Sequence, residues 1–329
     1  MKKKIVLITG VAGFIGSHAA DKFLSKGFEV RGVDNFSSGN KENIKHLKNN
    51  KKFKFLRADI LNLKKNKFIN DCNYVLHFAG LGDIVPSIKY PLKYFENNFS
   101  GTINLLEIIN KKKLIKFVYA ASSTCYGLAK TPTGENHKID PKYPYALSKY
   151  FGEQVCFHWH KVYKVPVNSI RIFNAYGTRS RTTGAYGAVI GVFLKQKIMK
   201  HPLTVVGNGK QKRDFLYVTD VVEAFYKAAL TKLNGKIWNI GSDDPKSINY
   251  LCKLLGEKKI IKIPKRPKEP NITFAETSKI KKDLNWQPKV KFEKGIKIIL
   301  SNIDYWKNST LWTKNKINIA TKDWFKYLK

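Results

Sequence analysis

The sequence has little cysteine. Its 329 residues include only four, Cys72, Cys125, Cys156 and Cys252. They are not grouped at the spacings of metal ligands, and four in a chain of this length do not make a disulfide framework. We therefore expect buried, reduced thiols, no metal site and no disulfide.

Long apolar runs are also absent, and no stretch is long enough to span a bilayer. The first residues, MKKKIVLITG, carry positive charge, but their apolar run is short and no signal-peptide cleavage pattern follows. This stretch is more typical of a first β-strand. We expect a cytoplasmic protein that does not bind membranes.

Acidic residues are scarce, with 24 Asp and Glu against 61 Lys and Arg, so the net charge is +37. Such a charge is typical of proteins that bind nucleic acid or anionic surfaces. Those proteins concentrate their charge, whereas the lysines here are spread along the chain in short groups such as 2–4 and 111–113. We favour a lysine-rich enzyme without a nucleic-acid partner, whose charge helps to attract a phosphorylated small substrate. A nucleic-acid-binding or scaffold protein without catalysis is the alternative of a different class.

Apolar runs alternate with helix-like segments through the first half of the chain. Strands are predicted at 4–10, 28–35, 53–59, 71–80, 115–123 and 165–174, and the clearest helices at 13–27, 97–113 and 143–164. Strands separated by helices imply right-handed βαβ crossovers. The pattern predicts an α/β fold with a Rossmann-type, doubly wound parallel sheet.

The stretch TGVAGFIG at 9–16 places glycines directly after a strand and at the start of a helix. In that frame a tight turn lets backbone N–H groups and the helix N-terminus meet a pyrophosphate. The pattern indicates a dinucleotide site. The predicted contacts in this turn are Gly10, Gly13, Phe14, Ile15 and Gly16.

Asp34 ends the second predicted strand. A carboxylate there accepts hydrogen bonds from the adenosine ribose hydroxyls and repels a 2′-phosphate. No arginine follows it to hold such a phosphate, and Arg31 lies within the strand. The cofactor is therefore predicted to be NAD rather than NADP. Further cofactor contacts are predicted where the second, third and fourth strands end, at Asn35, Asp59, Ile60, Phe78, Ala79 and Gly80.

The second half of the chain has a different pattern, with loops rich in glycine and arginine followed by shorter elements. We predict an NAD-binding domain over 1–174, to which 214–242 returns. A smaller C-terminal α/β substrate-binding domain is predicted from 175–213 and 243–308. Residues 309–329 are predicted to be a helical tail whose aromatic side chains need covering.

Tyr145 and Lys149, in YALSK, are four residues apart on a predicted helix and so share one face. A tyrosine has an ordinary pKa near ~10, and a nearby ammonium group together with NAD⁺ favours the phenolate and lowers that pKa. Lys149 can also hold the nicotinamide ribose. Tyr-x-x-x-Lys alone is common, but here a strand ending in serines, VYAASSTCYG at 118–127, precedes it. Together with the dinucleotide fingerprint, this combination predicts that Tyr145 and Lys149 form a catalytic pair.

Together TGVAGFIGS, HFAG, SSTCYG, YALSK, RIFNAYG and RDFLYVTDV resemble the extended short-chain dehydrogenase/reductase family, over roughly residues 1–305. Within it, the chain resembles nucleotide-sugar 4-epimerases of the UDP-glucose or UDP-N-acetylglucosamine type. The resemblance implies that Tyr145 removes the proton of the sugar 4-hydroxyl, that NAD takes and returns a hydride, and that Ser122 hydrogen-bonds the same oxygen. It also implies a homodimer, formed by the helix that follows NNFSGT and the YALSK helix.

The two residues after Ser122 separate the reactions of this family. The resemblance places an acidic pair there in 4,6-dehydratases and a glutamate at the second position in UDP-glucuronate decarboxylases. This chain has Ser123 and Thr124, whose hydroxyls cannot be the acid or base of an elimination. We therefore expect epimerisation, with decarboxylation or dehydration as the alternative.

The substrate side is also implied by the resemblance. Asn174 matches an asparagine near the substrate diphosphate, and Arg213 and Arg266 match arginines that clamp it through two phosphate oxygens. An incidental surface ion pair with Asp214 is the alternative for Arg213.

Thr273 matches the position that closes the pocket beside the sugar 2-substituent. A threonine there leaves room for an N-acetyl group, so UDP-N-acetylhexosamines are expected among the substrates. Ser123 and Thr124 complete the predicted substrate-binding set.

Overall fold

The strands were located in a computed structural model, which describes residues 4–181 and 186–329. The predicted domain ranges extend outside the described residues at 1–3 and 182–185. The described strands are β1 Ile5–Thr9, β2 Glu29–Asp34, β3 Phe53–Arg57, β4 Tyr74–His77, β5 Lys116–Ser122, β6 Val167–Ile172, β7 Ala175–Tyr176, β8 Leu203–Val206, β9 Lys212–Arg213, β10 Leu216–Tyr217, β11 Lys236–Ile240, β12 Lys246–Ser247 and β13 Ile260–Ile263.

The helices lie between these strands and after them. They are α1 Phe14–Ser25, α2 Lys67–Asn70, α3 Ile84–Lys89, α4 Pro91–Phe95, α5 Gly101–Ile108, α6 Pro144–Tyr163, α7 Val189–Ile198, α8 Val218–Leu230, α9 Ile248–Leu254, α10 Ser278–Leu284, α11 Phe292–Ser301, α12 Lys314–Ala320 and α13 Lys322–Tyr327. A π-helical turn, Glu96–Ser100, leads into α5. Short 3₁₀ helices occupy Lys41–Asn43, Lys45–Leu47, Ser123–Tyr126 and Ile303–Trp306.

Seven strands form one parallel sheet in the order β11-β6-β5-β4-β1-β2-β3. The strand order reverses between β1 and β4, and ligands of open α/β sheets bind outside the carboxyl ends of the strands at such a point. The predicted α/β fold class with its doubly wound parallel sheet is confirmed.

The central strands are buried on both faces, which explains their continuous apolar sequence. On one face α1 and α8 cover the sheet, with Phe23 and Phe225 in the core. On the other face α5 and α6 contribute Leu105, Leu106 and Cys156. The sheet is therefore the middle layer of three, and its carboxyl edge is left for the loops that form the site.

A second apolar core lies outside the sheet. It gathers side chains of α7, α9 and α11, such as Phe193, Leu251 and Ile296, around the parallel pair β8 and β13. The chain returns to the main sheet at β11, which pairs with β6, before it completes this second core.

The predicted helix at 97–113 is wrong at its C-terminal end, because α5 ends at Ile108. Asn110 explains the difference, since its side-chain oxygen accepts a hydrogen bond from the amide of Lys112 at 3.2 Å. Such a local bond offers the backbone an alternative to the helix.

All four cysteines are buried and free. Within 4–181 and 186–329, no group of side chains has the arrangement of a metal site. No helix in those ranges has both the length and the apolar character needed to cross a membrane.

Candidate active site

A cavity of about 630 Å³ opens at the carboxyl edge of the sheet and continues toward the second core. It brings together most of the predicted site residues. Those that line it are Gly10, Gly13, Phe14, Ile15, Gly16, Phe78, Gly80, Ser122, Ser123, Thr124, Tyr145, Lys149, Asn174, Arg213, Arg266 and Thr273. The remaining predicted residues, Asp34, Asn35, Asp59, Ile60 and Ala79, do not line the cavity.

The glycine turn at the start of α1 is tightly packed. Gly10 has a φ of +70°, and a Cβ there would lie 2.8 Å from the Ala79 amide nitrogen. A Cβ on Gly16 would lie 2.1 Å from the Gly10 carbonyl oxygen. Both positions therefore require glycine. No side chain caps the N-terminus of α1, so this turn has the form that accepts a pyrophosphate.

Asp34 lies at the end of β2, beside that turn. Its carboxylate accepts hydrogen bonds from the amides of Ala12, at 2.9 Å, and Phe36, at 2.7 Å. Burial raises its pKa, and the two amide bonds oppose that shift. Arg31 is already engaged with Glu29 at 3.0 Å and with backbone carbonyls of α2. The residues near Asp34 therefore suit a ribose hydroxyl better than a 2′-phosphate.

The predicted adenosine contacts form a small cluster next to Asp34. Asn35 donates a hydrogen bond to Asp59 at 2.8 Å, and Asp59 also accepts the amide of Leu61 at 2.9 Å. Ile60 is buried, with its side chain against Gly101. This cluster lies at the ends of β2 and β3 and does not line the cavity.

The predicted catalytic residues come from β5 and α6. Ser122 ends β5 and caps the 3₁₀ helix that follows. Its Oγ lies 2.8 Å from Thr124 Oγ1, so the two hydroxyls share a hydrogen bond. Lys149 is buried with its Nζ 4.3 Å from the centroid of the Tyr119 ring. Burial lowers the pKa of Lys149 to about 8.

The protein groups around Tyr145 do not by themselves lower its pKa. Burial raises it above the ordinary tyrosine value, and a hydrogen bond with Ser122 opposes the shift without reversing it. Lys149 is not among the causes of this shift. The shared helix face brings Tyr145 and Lys149 to one cavity, but loss of hydration outweighs the protein groups that favour the phenolate.

Arg213 and Arg266 meet at one carboxylate. Glu269 accepts hydrogen bonds from Arg213 at 2.9 Å and from Arg266 at 2.7 and 3.1 Å. Burial alone would raise the pKa of Glu269, but the two guanidinium groups outweigh it and lower the pKa. The alternative partner for Arg213 is not used, because Asp214 accepts instead from Ser242 and from the amide of Ala275.

Thr273 and Asn174 are in direct contact. The Thr273 hydroxyl donates to Asn174 Oδ1 at 2.6 Å and accepts the amide of Asp214 at 3.2 Å. The position predicted to limit the size of the sugar substituent therefore also holds the asparagine predicted beside the diphosphate.

The cavity also contains charged and aromatic residues that belong to no sequence motif. Asp83 and Arg181 form an ion pair in its wall, and Asp83 influences the pKa of Tyr145 electrostatically. Trp312 and Trp324 reach the cavity from the C-terminal end of the chain. These contacts join positions far apart in sequence, so no local spacing of residues predicts them.

The comparisons with known proteins agree with this geometry. The model of the GDP-mannose 4,6-dehydratase family matches residues 7–299. The chain belongs to this family. It is a branch of the extended short-chain dehydrogenase/reductase enzymes, and the predicted resemblance is confirmed.

Relatives of this family member include enzymes of two reaction types. A putative UDP-glucose 4-epimerase of Methanocaldococcus jannaschii is 35% identical over 308 residues, which are 90% of this chain and 97% of the relative. A UDP-N-acetyl-alpha-D-glucosaminuronate decarboxylase of Bacillus cytotoxicus is 33% identical over 316 residues, 90% of this chain and 96% of the relative.

A UDP-glucuronic acid 4-epimerase from Bacillus cereus, solved with UDP-glucuronic acid and NAD, has a TM-score of 0.85 and 33% identity. The match covers 92% of this chain and 99% of that one. The cofactor of this chain is NAD, as predicted. Its family relatives include both NAD-dependent UDP-sugar 4-epimerases and UDP-sugar decarboxylases.

Proposed function

We propose that this chain is an isomerase that inverts C4 of a UDP-activated sugar. One observation carries the proposal: the Ser122 and Tyr145 hydroxyls, Lys149 and the paired arginines Arg213 and Arg266 line the same cavity as the glycine turn. A cofactor held at that turn and a diphosphate held at the arginines would place the sugar beside Ser122 and Tyr145.

The proposed roles follow from the contacts of each side chain. Tyr145, as phenolate, removes the proton of the sugar 4-hydroxyl, and Ser122 hydrogen-bonds the same oxygen. The shared hydrogen bond with Thr124 holds the Ser122 hydroxyl in place. Bound NAD supplies the oxidation at C4 and the later reduction. Lys149 would hold the nicotinamide ribose, and its charge together with that of NAD⁺ would favour the phenolate.

Inversion at C4 would require the 4-keto sugar to turn over in the cavity while the rest of the substrate stays bound. Arg213 and Arg266 suit this need, because a guanidinium fork holds two phosphate oxygens at once. In the described ranges, the cavity is lined by four cationic side chains, those of Lys149, Arg181, Arg213 and Arg266, against two acids. This balance favours an anionic diphosphate.

The way in which the acidic side chains of the cavity are paired favours epimerisation over elimination. Dehydration or decarboxylation of this kind needs a proton donor or acceptor beyond the tyrosine, and Ser123 and Thr124 supply none. The two carboxylates that line the described part of the cavity, Asp83 and Glu269, are each paired with arginine. Decarboxylation or dehydration is the second candidate, because relatives with the first of these activities are about equally similar.

The proposed substrates are UDP-glucose and UDP-galactose, together with UDP-N-acetylhexosamines because Thr273 is small. The protein should be incubated with each of these and with UDP-glucuronate, and the products identified by NMR. Interconversion of 4-epimers is expected, and Tyr145→Phe should abolish it while UDP still binds.

Two other products would contradict the proposal. Release of CO₂ from UDP-glucuronate would indicate a decarboxylase, and a 4-keto-6-deoxy sugar would indicate a dehydratase. A salt-sensitive gel shift with nucleic acid, without any turnover, would favour the non-catalytic alternative.

We also propose that two copies pair through the α5 and α6 side of the sheet. Phe151 of α6 is 40% exposed there, with the rings of Phe95 and Phe99 each 6.0 Å from its own. Phe95 and Phe99 are partly exposed, so together with Phe151 they give this side of the molecule an apolar surface that a second copy could cover.

A further inference from the structure

The last residues of the chain form part of the cavity wall. Residues 309–329, called here the C-terminal segment, contain α12 and α13. Four of its side chains line the cavity, those of Ser309, Thr310, Trp312 and Trp324. The family match ends at residue 299, so this part of the wall lies beyond it.

The C-terminal segment is firmly attached at both ends. At its start, the Trp312 carbonyl accepts a hydrogen bond from Gln196 at 2.7 Å, and the Trp312 ring meets Tyr186 edge-on at 5.4 Å. At its end, Trp324 is 3% exposed and packs with Tyr143 and Ala146, at the N-terminus of α6. The segment therefore connects the second core to the helix that carries Tyr145.

Trp324 also reaches the predicted diphosphate site. Its ring centroid lies 5.2 Å from the Arg266 guanidinium carbon, and the Tyr186 ring lies 5.5 Å from the same carbon. Its indole N–H donates to the Pro267 carbonyl at 2.8 Å. Arg266 is thus held by two aromatic rings as well as by Glu269, and aromatic contacts of this kind fix a guanidinium plane.

Ser309 supplies an independent observation. Its side-chain oxygen is buried, and it has no hydrogen-bond partner among residues 4–181 and 186–329. The residue itself is 9% exposed and lines the cavity. Buried hydroxyls are rarely left unpaired, so a hydroxyl in this position is suited to a polar ligand.

We propose that the C-terminal segment contributes to binding at the nucleotide-sugar site, and that Trp324 positions Arg266 for a nucleoside diphosphate. This inference rests on the proposed function, because it takes Arg266 as a diphosphate ligand. A segment that only covers apolar surface would stabilise the fold without affecting one ligand more than another.

The test compares three variants in binding of UDP and of NAD, each measured by calorimetry. Trp324→Ala should weaken UDP binding by about tenfold, the scale of a desolvated cation–π contact, and leave NAD binding unchanged. Trp324→Phe retains a ring and should recover most of the affinity. Tyr327→Ala is the matched control, because Tyr327 lies on the same helix and is 60% exposed.

In turnover assays Trp324→Ala should raise KM for the UDP-sugar more than it lowers kcat. Hydrogen exchange on the unaltered protein gives a second test: UDP should slow exchange of the amides in 314–327, and NAD alone should not. Unchanged UDP affinity in Trp324→Ala, equal losses of UDP and NAD affinity, or unchanged exchange would each overturn the inference. If the unaltered protein binds no UDP, the proposed function fails and this inference fails with it.

Discussion

Thr273 donates its hydroxyl hydrogen to Asn174 at 2.6 Å, which joins the predicted sugar-size position to the predicted diphosphate site. Asn174 has a φ of 26°, in a region of backbone conformation that residues other than glycine adopt uncommonly. A hydrogen bond at this point helps to hold that backbone where it is. We infer that Thr273 acts through its hydroxyl as well as through its small size.

Two substitutions separate these roles. Thr273→Tyr fills the space beside the sugar and also removes the threonine hydroxyl, so it should block UDP-N-acetylated sugars while UDP-glucose loses no more than it loses in the hydroxyl variant described next. Thr273→Val keeps the size but removes the hydroxyl, and it should lower kcat/KM for both substrates by roughly fivefold, the scale of one neutral hydrogen bond. Steady-state kinetics with both substrates measures this. Equal loss of both in Thr273→Tyr would contradict the size role, and unchanged kinetics in Thr273→Val would contradict the hydroxyl role.

Asp34 should determine the affinity for NAD. Its carboxylate accepts hydrogen bonds from the amides of Ala12 and Phe36, and we propose that it also accepts them from the ribose hydroxyls. Asp34→Ala should therefore weaken NAD binding by about tenfold or more, the scale of hydrogen bonds to a charged group. Glu42→Ala is the control, since Glu42 is an exposed acid whose partner is the exposed Lys45. Fluorescence titration measures the NAD affinity of both variants, and unchanged NAD affinity in Asp34→Ala would contradict the assignment of Asp34 to the ribose.

The fold could be predicted from sequence because its signals are local. The glycines at 10, 13 and 16 lie where a strand passes into a helix, and each of these two elements can be predicted from its own residues. The apolar runs that became β1 and β4 are short and continuous because both faces of the sheet are covered. Such patterns need no knowledge of distant partners.

The parts of the site that could not be predicted depend on distant partners. Arg213 and Glu269 are 56 residues apart, and Arg181 and Asp83 are 98 apart. The direction of the Tyr145 pKa shift depends on how deeply the side chain is buried, which the motif YALSK does not reveal. The aromatic side chains of the C-terminal segment are predicted to need covering, but the sequence does not show what covers them: Trp312 packs with Tyr186 and Trp324 with Tyr143, and both tryptophans line the cavity.

Phe151 should control pairing of the chain. Substituting aspartate places a charge beside the partly exposed rings of Phe95 and Phe99, so Phe151→Asp should give a monomer. Leu230→Asp is the matched control, because Leu230 is also 40% exposed but belongs to α8 on the other side of the sheet. Light scattering coupled to size exclusion measures the mass. A monomeric unaltered protein, or a dimeric Phe151→Asp variant, would refute pairing through this face.

Lys149 should lower the stability of the protein at neutral pH. Burial lowers its pKa from 10.5 to about 8, so between these pH values the unfolded chain binds more protons than the folded chain. The contribution of Lys149 to the free energy of unfolding therefore rises with pH across that window and is least favourable below pH 8. The difference in pKa corresponds to a destabilisation of about 3 kcal/mol below pH 8. The cation–π contact of Lys149 with Tyr119 offsets about 1 kcal/mol of it.

Lys149→Met should thus be more stable than the unaltered protein at pH 7, by about 1 to 2 kcal/mol, and the gain should shrink as the pH rises from 8 toward 10.5. Its turnover should be severely reduced. Lys161→Met, an exposed position on the same helix, should show neither effect. Urea unfolding at several pH values measures the difference, and a difference that does not change with pH would contradict the prediction. A lysine that weakens the fold at its position is consistent with the proposed role of Lys149 beside the cofactor and Tyr145.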